Sequence, residues 1–107
     1  MAGKYFFANN PSGRVLAGSA TVDFGNITDG NELASDITVT GAALGDIVMV
    51  SHSLDVLDLQ LTADVTSANT VTVVASSSGD DVNLGSGTVR VLVIPSGAVD
   101  DIIADMV

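Results

Sequence analysis

The chain has 107 residues, 47% of them hydrophobic, with no cysteine, and thirteen acids against three bases for a formal net charge of −10. That length gives one domain with one core, and the missing cysteines exclude disulfides, thiolate metal sites and cysteine nucleophiles. An acidic shell repels phosphate backbones and anionic lipid, so neither nucleic acid nor membrane is an expected partner. No apolar run reaches the ~18 residues of a membrane span. The N-terminus turns polar at Asn9, too early for a secretory segment, and its Met1 without a leader predicts a whole gene product. Twelve of the thirteen acids are Asp, a residue that favours turns, which predicts acids in loops and at strand ends.

Residues 1–18 differ in composition from the rest of the chain. Tyr5, Phe6 and Phe7 are three of the four aromatic residues, and Asn9-Asn10-Pro11-Ser12-Gly13 is turn chemistry ahead of the apolar Val15-Leu16-Ala17. The segment reads either as a hairpin of the domain or as an arm whose aromatics anchor on a neighbour. From Ser19 a period of two takes over, the mark of half-buried strands. Ala20, Val22 and Phe24 alternate with Ser19, Thr21 and Asp23, and Ile37 and Val39 sit between polar neighbours. A small-residue turn at 41–45 leads to Ile47-Val48-Met49-Val50, which reads as a buried run.

Leu59, Leu61, Ala63 and Val65 alternate next, and Ser67-Ala68-Asn69 turns into Val71 and Val73. After an exposed loop at 76–81, Val82 and Leu84 suggest a short edge segment. In residues 87–94, Val89, Val91 and Val93 share one face and Arg90, Leu92 and Ile94 the other. Two largely apolar faces predict a central strand, or one covered at an interface. Turn residues at every break predict an all-β, antiparallel β-sandwich or jelly roll of roughly seven to eight strands over 19–95. Residues 96–107 form a C-terminal extension or a short helix. In the helix, Ser96 is the N-cap, Val99, Ile102, Ile103 and Met106 share a face, and Asp100 and Asp101 lie near the positive end.

Chemistry is sparse. His52 is the one histidine; it lies beside Ser51, Ser53 and Asp55, but strand neighbours point to opposite faces, so a solvent-facing or loop histidine is expected. Asp80-Asp81 and the group Asp29, Asn31 and Glu32 lack calcium-loop spacing and read as turns. Gly85-Ser86-Gly87 has no phosphate-cradle pattern. The residues thus predict no enzyme, no catalytic residue, no cofactor and no metal.

Three stretches carry a resemblance: Thr40-Gly41-Ala42-Ala43-Leu44-Gly45-Asp46, Ser67-Ala68-Asn69-Thr70-Val71-Thr72-Val73, and Gly87-Thr88-Val89-Arg90-Val91-Leu92-Val93-Ile94. Together they resemble a β-sandwich module of tailed-phage virion proteins. In that pattern the closing strand commonly has an aromatic where Val89 stands and a second Arg where Leu92 stands. The resemblance implies a non-enzymatic structural protein of the virion, made in the host cytoplasm. Its size suits a capsid decoration (cement) protein that binds the assembled head and stabilises contacts between major capsid protein subunits. Threefold sites on such a shell favour a homotrimer. The alternative in the same family is a tail- or head-fibre module that binds a receptor or carbohydrate. The expected partner surfaces are Tyr5, Phe6 and Phe7, the final strand at Val89, Val91 and Val93, and the stripe of Ile102, Ile103 and Met106.

Overall fold

A computed structural model describes residues 14–106. Six strands and one helix come in order: β1 (Leu16–Val22), β2 (Glu32–Thr38), β3 (Ile47–His52), β4 (Leu59–Ser67), β5 (Thr70–Ser77), β6 (Gly87–Ile94) and α1 (Ser96–Asp105). They build two three-stranded antiparallel sheets, β1–β6–β3 and β2–β5–β4. The sheets face each other and share a core, so the fold is all-β and sandwich-like, with one short C-terminal helix.

Six strands among the described residues is fewer than expected. The shortfall has a local cause: Val82 makes only an isolated bridge to Ile27, and Leu84 lies outside any strand. The first strand begins at Leu16, so residues 16–18 belong to β1 and not to the N-terminal segment in which their composition places them. β6 is the central strand of its sheet, as its two apolar faces suggested.

The inward rows are valine-rich because branched side chains pack well on a pleated surface. Val71 and Val73 of β5 face Val89, Val91 and Val93 of β6, all five of them buried, with Ile37, Val39 and Val65 around them. Burying one such side chain contributes roughly 1.5–3 kcal/mol. A second cluster of Ile27, Leu59, Ala75 and Val82 continues the core, and Phe24 packs against both clusters.

β3 departs from the expected buried run. Val48 and Val50 are half-buried, whereas Ile47 and Met49 are 47% and 53% exposed. Alternation holds there, but both rows are apolar, so the sequence hides it. Asp36 and Asp64 also correct the expectation that acids avoid strand interiors. Both lie in mid-strand on the outward side of β2 and β4, opposite Thr72 of β5. Thr72 Oγ1 donates to Asp36 Oδ1 at 2.7 Å and lies 2.7 Å from Thr66 Oγ1.

Two stretches far apart in sequence meet at one end of the sandwich. Asn69 sits at the β4–β5 turn with φ +64°, a left-handed conformation that Asn tolerates better than most residues. Its carbonyl accepts from Val39 N–H, its N–H donates to Ala42 O, and its Oδ1 accepts from Gly41 N–H, at 2.9, 2.9 and 2.8 Å. Gly41 and Gly45 both have φ +94°, where a Cβ is strained.

At the same end Asp46 joins two elements. Its Oδ2 accepts from Ala43 N–H at 3.0 Å and its Oδ1 from Ser96 N–H at 2.9 Å. The cap expected from the Ser96 side chain is therefore absent. Pro95 occupies the N-cap position without a side-chain bond, and Ser96 is the first helical residue, its amide held by Asp46. Asp100 and Asp101 fall beyond the first turn, which holds no acid. Only Ala98 of the helix is buried.

Candidate docking face

The inward direction of Val89, Val91 and Val93 sends Thr88, Arg90, Leu92 and Ile94 to the outside. Strand register builds rows on that outer face. Ile94 stands opposite Ile47; Leu92 is flanked by Ala17 and Met49; Arg90 is flanked by Ser19 and Ser51; Thr88 faces Thr21. One half of the face is thus aliphatic and the other carries hydroxyls around one guanidinium. Met49, Ile47 and Leu92 are exposed, and a shallow depression of ≈ 570 Å³ runs between Ala17, Met49, Arg90 and Leu92.

No acid stands in these rows, although the chain holds thirteen. The other sheet behaves oppositely: its outer face shows Glu32, Asp36, Asp64, Gln60 and threonines. Contiguous exposed apolar surface marks interaction sites more often than scattered single residues do.

The sequence-derived contact residues distribute unevenly. Tyr5, Phe6 and Phe7 lie outside the described residues. Val89, Val91 and Val93 are 0%, 3% and 0% exposed. They belong to the core, so a partner approaching β6 from outside meets Arg90, Leu92 and Ile94 instead. Ile103 and Met106 are exposed at the end of α1, and Ile102 is half-buried. Ile47 and Met49 were missed because they looked like interior residues.

His52 is not a loop or solvent-facing residue. It ends β3 on the inner side, opposite Val89, with its ring against Gly87. Its Nδ1 accepts from Leu54 N–H at 3.0 Å, which places the proton of the neutral ring on Nε2, and that atom is buried without a partner. Ser51 projects to the opposite face beside Arg90. Ser53 Oγ accepts from Thr88 N–H, and Asp55 Oδ1 from Leu57 N–H, each at 2.9 Å. No hydrogen bond joins His52 to a serine or aspartate side chain among the described residues.

The carboxylates of the acidic loops accept from backbone amides, and these bonds tie the two loops together. Asp29 N–H donates to Asp81 Oδ1 at 3.0 Å, and Asp29 Oδ1 accepts from Gly79 N–H at 2.8 Å. Asn31 Nδ2 donates to Thr28 Oγ1, and the buried Ser77 hydroxyl donates to the Asp80 carbonyl. Among the described residues no three His, Asp or Glu side chains gather as a metal site would need. Among the same residues no helix is long and apolar enough to cross a membrane.

Leu57 is the strained point of the surface, with φ +56° and 64% exposure. The left-handed conformation costs an L-residue about 1–2 kcal/mol, and Asn carries less of that penalty. Leu57→Asn is therefore expected to stabilise the fold by about 0.5–1 kcal/mol. A urea titration checks it: the midpoint should rise with an unchanged slope.

No family model, no curated protein and no solved structure matches this chain.

Proposed function

We propose that this chain is a non-enzymatic structural protein of a tailed-phage virion, a decoration protein that binds the assembled head shell as a homotrimer. One observation carries the reading: the outer face of β1–β6–β3 is acid-free and aliphatic over one half, on a chain of net charge −10. Such a surface lets another protein approach without Coulomb repulsion, while the acidic remainder stays solvated. The strand order gives further support. Strands β1 and β6 pair, β2 and β5 pair, and β3 and β4 lie in opposite sheets. That order is the one a jelly-roll winding over six strands would have, which supports the reading. The partner is then the major capsid protein, and the place of action is the outer surface of the virion.

Co-sedimentation with purified tailed-phage heads that lack their decoration protein tests the proposal, with light scattering to count subunits. Saturable binding by the trimer is expected. Met49→Glu, which puts a carboxylate on the acid-free face, is expected to weaken that binding at least about tenfold, or about 1.4 kcal/mol. Binding indifferent to Met49→Glu, or no binding to heads, would overturn it.

A further inference from the structure

We infer that Arg90 is a carboxylate receptor: the protein that covers the β1–β6–β3 outer face sets an Asp or Glu side chain over this guanidinium and an aliphatic side chain over Leu92 and Met49. That a protein covers the face rests on the proposed function; the chemistry it must bring follows from the face itself. Arg90 is the one base in these rows, exposed at the middle of the central strand. The chain holds thirteen acids, yet among the described residues none forms an ion pair or hydrogen bond with this guanidinium. The acids that strand pairing carries to an outer face, Glu32, Asp36 and Asp64, lie on the other sheet. The cross-strand neighbours of Arg90 are Ser19 and Ser51, both exposed. Their hydroxyls offer hydrogen bonds but no countercharge.

A protein that docks here takes Arg90 out of water. A charge buried without a countercharge costs far more than a lost hydrogen bond. A wholly apolar partner would therefore suit the Met49–Leu92 half and be opposed by the guanidinium beside it. A carboxylate removes the conflict, because Arg holds it through two parallel N–H donors. Ser19 and Ser51, with Cβ atoms about 4.5–5.5 Å from that of Arg90, are placed to donate to its remaining lone pairs. Phosphate pairs with Arg equally well, but nucleic acid and anionic lipid present it as a dense array of charge that a chain of −10 repels. A second copy, itself at −10, is disfavoured on the same ground. One carboxylate on an otherwise neutral patch of another protein meets the acid-free face without that penalty.

Register also sets the spacing that the partner must match. Arg90 and Leu92 are two residues apart on one face of β6, so their side chains leave the sheet about 7 Å from each other. The depression of ≈ 570 Å³ includes Ser19, Ser51 and Arg90 as well as Ala17, Met49 and Leu92, so the polar and aliphatic halves line one concavity. An extended segment with an acid and an aliphatic residue at i and i+2 has the same spacing as β6 and places both groups at once.

Two measurements test the inference, the first on the unmodified chain. The blocked peptide acetyl-Leu-Thr-Glu-amide, titrated at low salt, should move the Arg90 Nε–Hε and Met49 methyl resonances together and saturably, with a Kd on the order of millimolar. The peptide with Gln in place of Glu should bind at least about fivefold more weakly. Equal shifts from the two peptides, or an unmoved Arg90 signal, would overturn the inference. Against purified heads that lack their decoration protein, Arg90→Leu is a test of sign. A shell that supplies a carboxylate is left with it unpaired, so binding should weaken at least about thirtyfold, or about 2 kcal/mol. A shell that supplies none should bind the variant as well or better, because an unpaired charge no longer has to be buried, and the inference then falls. Arg90→Lys keeps the charge without the fork and should lie between parent and leucine variant. Loss of the trimer in Arg90→Leu, read by light scattering, would assign the carboxylate to a second copy and overturn its assignment to another protein. Discrimination between the peptides with no binding to heads would leave the receptor standing and remove the proposed function; saturable binding to heads that Arg90→Leu does not weaken would do the reverse.

Discussion

Gly18→Val is expected to destabilise the fold by about 3 kcal/mol, lowering Tm by about 12–20 °C for a domain of this size. Gly18 lies in β1 opposite Val91, with its missing side chain directed at the other sheet. A Cβ there would stand 2.8 Å from Val39 Cγ2 and 3.0 Å from the Thr38 carbonyl oxygen. The carbonyl is backbone and cannot rotate away, so the sheets would have to separate or β1 lift from β6. Valine adds two methyl groups to a space too small for one carbon. Gly18→Ala should show about half the effect, because alanine brings the Cβ and its two close contacts but not the two further methyl groups of valine. Differential scanning calorimetry on both variants checks the ordering. A valine variant within about 4 °C of the parent would mean that the sheets part more easily than close packing allows.

Asp46→Ala is the second large effect, about 2 kcal/mol, because one carboxylate holds two backbone amides in different elements. Losing it frees Ala43 N–H in the small-residue turn and Ser96 N–H at the start of α1. Proline at the N-cap offers no side-chain replacement. The helix should fray first, since Ala98 is its only buried residue. Amide hydrogen exchange resolves the two contributions: protection across residues 96–105 should fall more than protection in β5. Asp46→Asn keeps an acceptor oxygen but only one, so it should lose one of the two bonds and lie between parent and alanine variant. Equal exchange in parent and alanine variant would mean that the helix is held by Ala98 alone.

How far each signal reaches along the chain decides what the sequence revealed. Period two is local, so the rows of Val71 and Val73, and of Val89, Val91 and Val93, could be read directly. The two-sided apolar character of residues 87–94 pointed to a central strand or one covered at an interface, and β6 is central in its sheet. Gly41, Gly45 and Asn69 marked turns because their backbone requirements are local too. In Ile47-Val48-Met49-Val50 every residue is apolar, so nothing distinguished the inward row from the outward one, and the exposed half of the face went unseen. Bonds between distant segments left no trace. Asn69 capping Gly41, and Asp46 replacing the expected cap of Ser96, depend on tertiary placement. The acid-free face was hidden for the same reason, since only the registers Ala17–Leu92–Met49 and Ser19–Arg90–Ser51 bring its rows together.

The pairing of β1 with β6 has a consequence for synthesis. Leu16 lies opposite Val93, so the first strand must wait for nearly the last residue of the sandwich before it has a neighbour. β3 waits as well, because its partner is also β6. The sheet β2–β5–β4 is complete once Ser77 has left the ribosome. A nascent chain at that point holds Ile37, Val71 and Val73 on a finished sheet with nothing to cover them. Such non-local closure is slow, and the open intermediate is prone to association. The order of translation therefore makes the strands of the acidic sheet available first, and like charge on its outer face opposes association of such partial chains before β6 arrives.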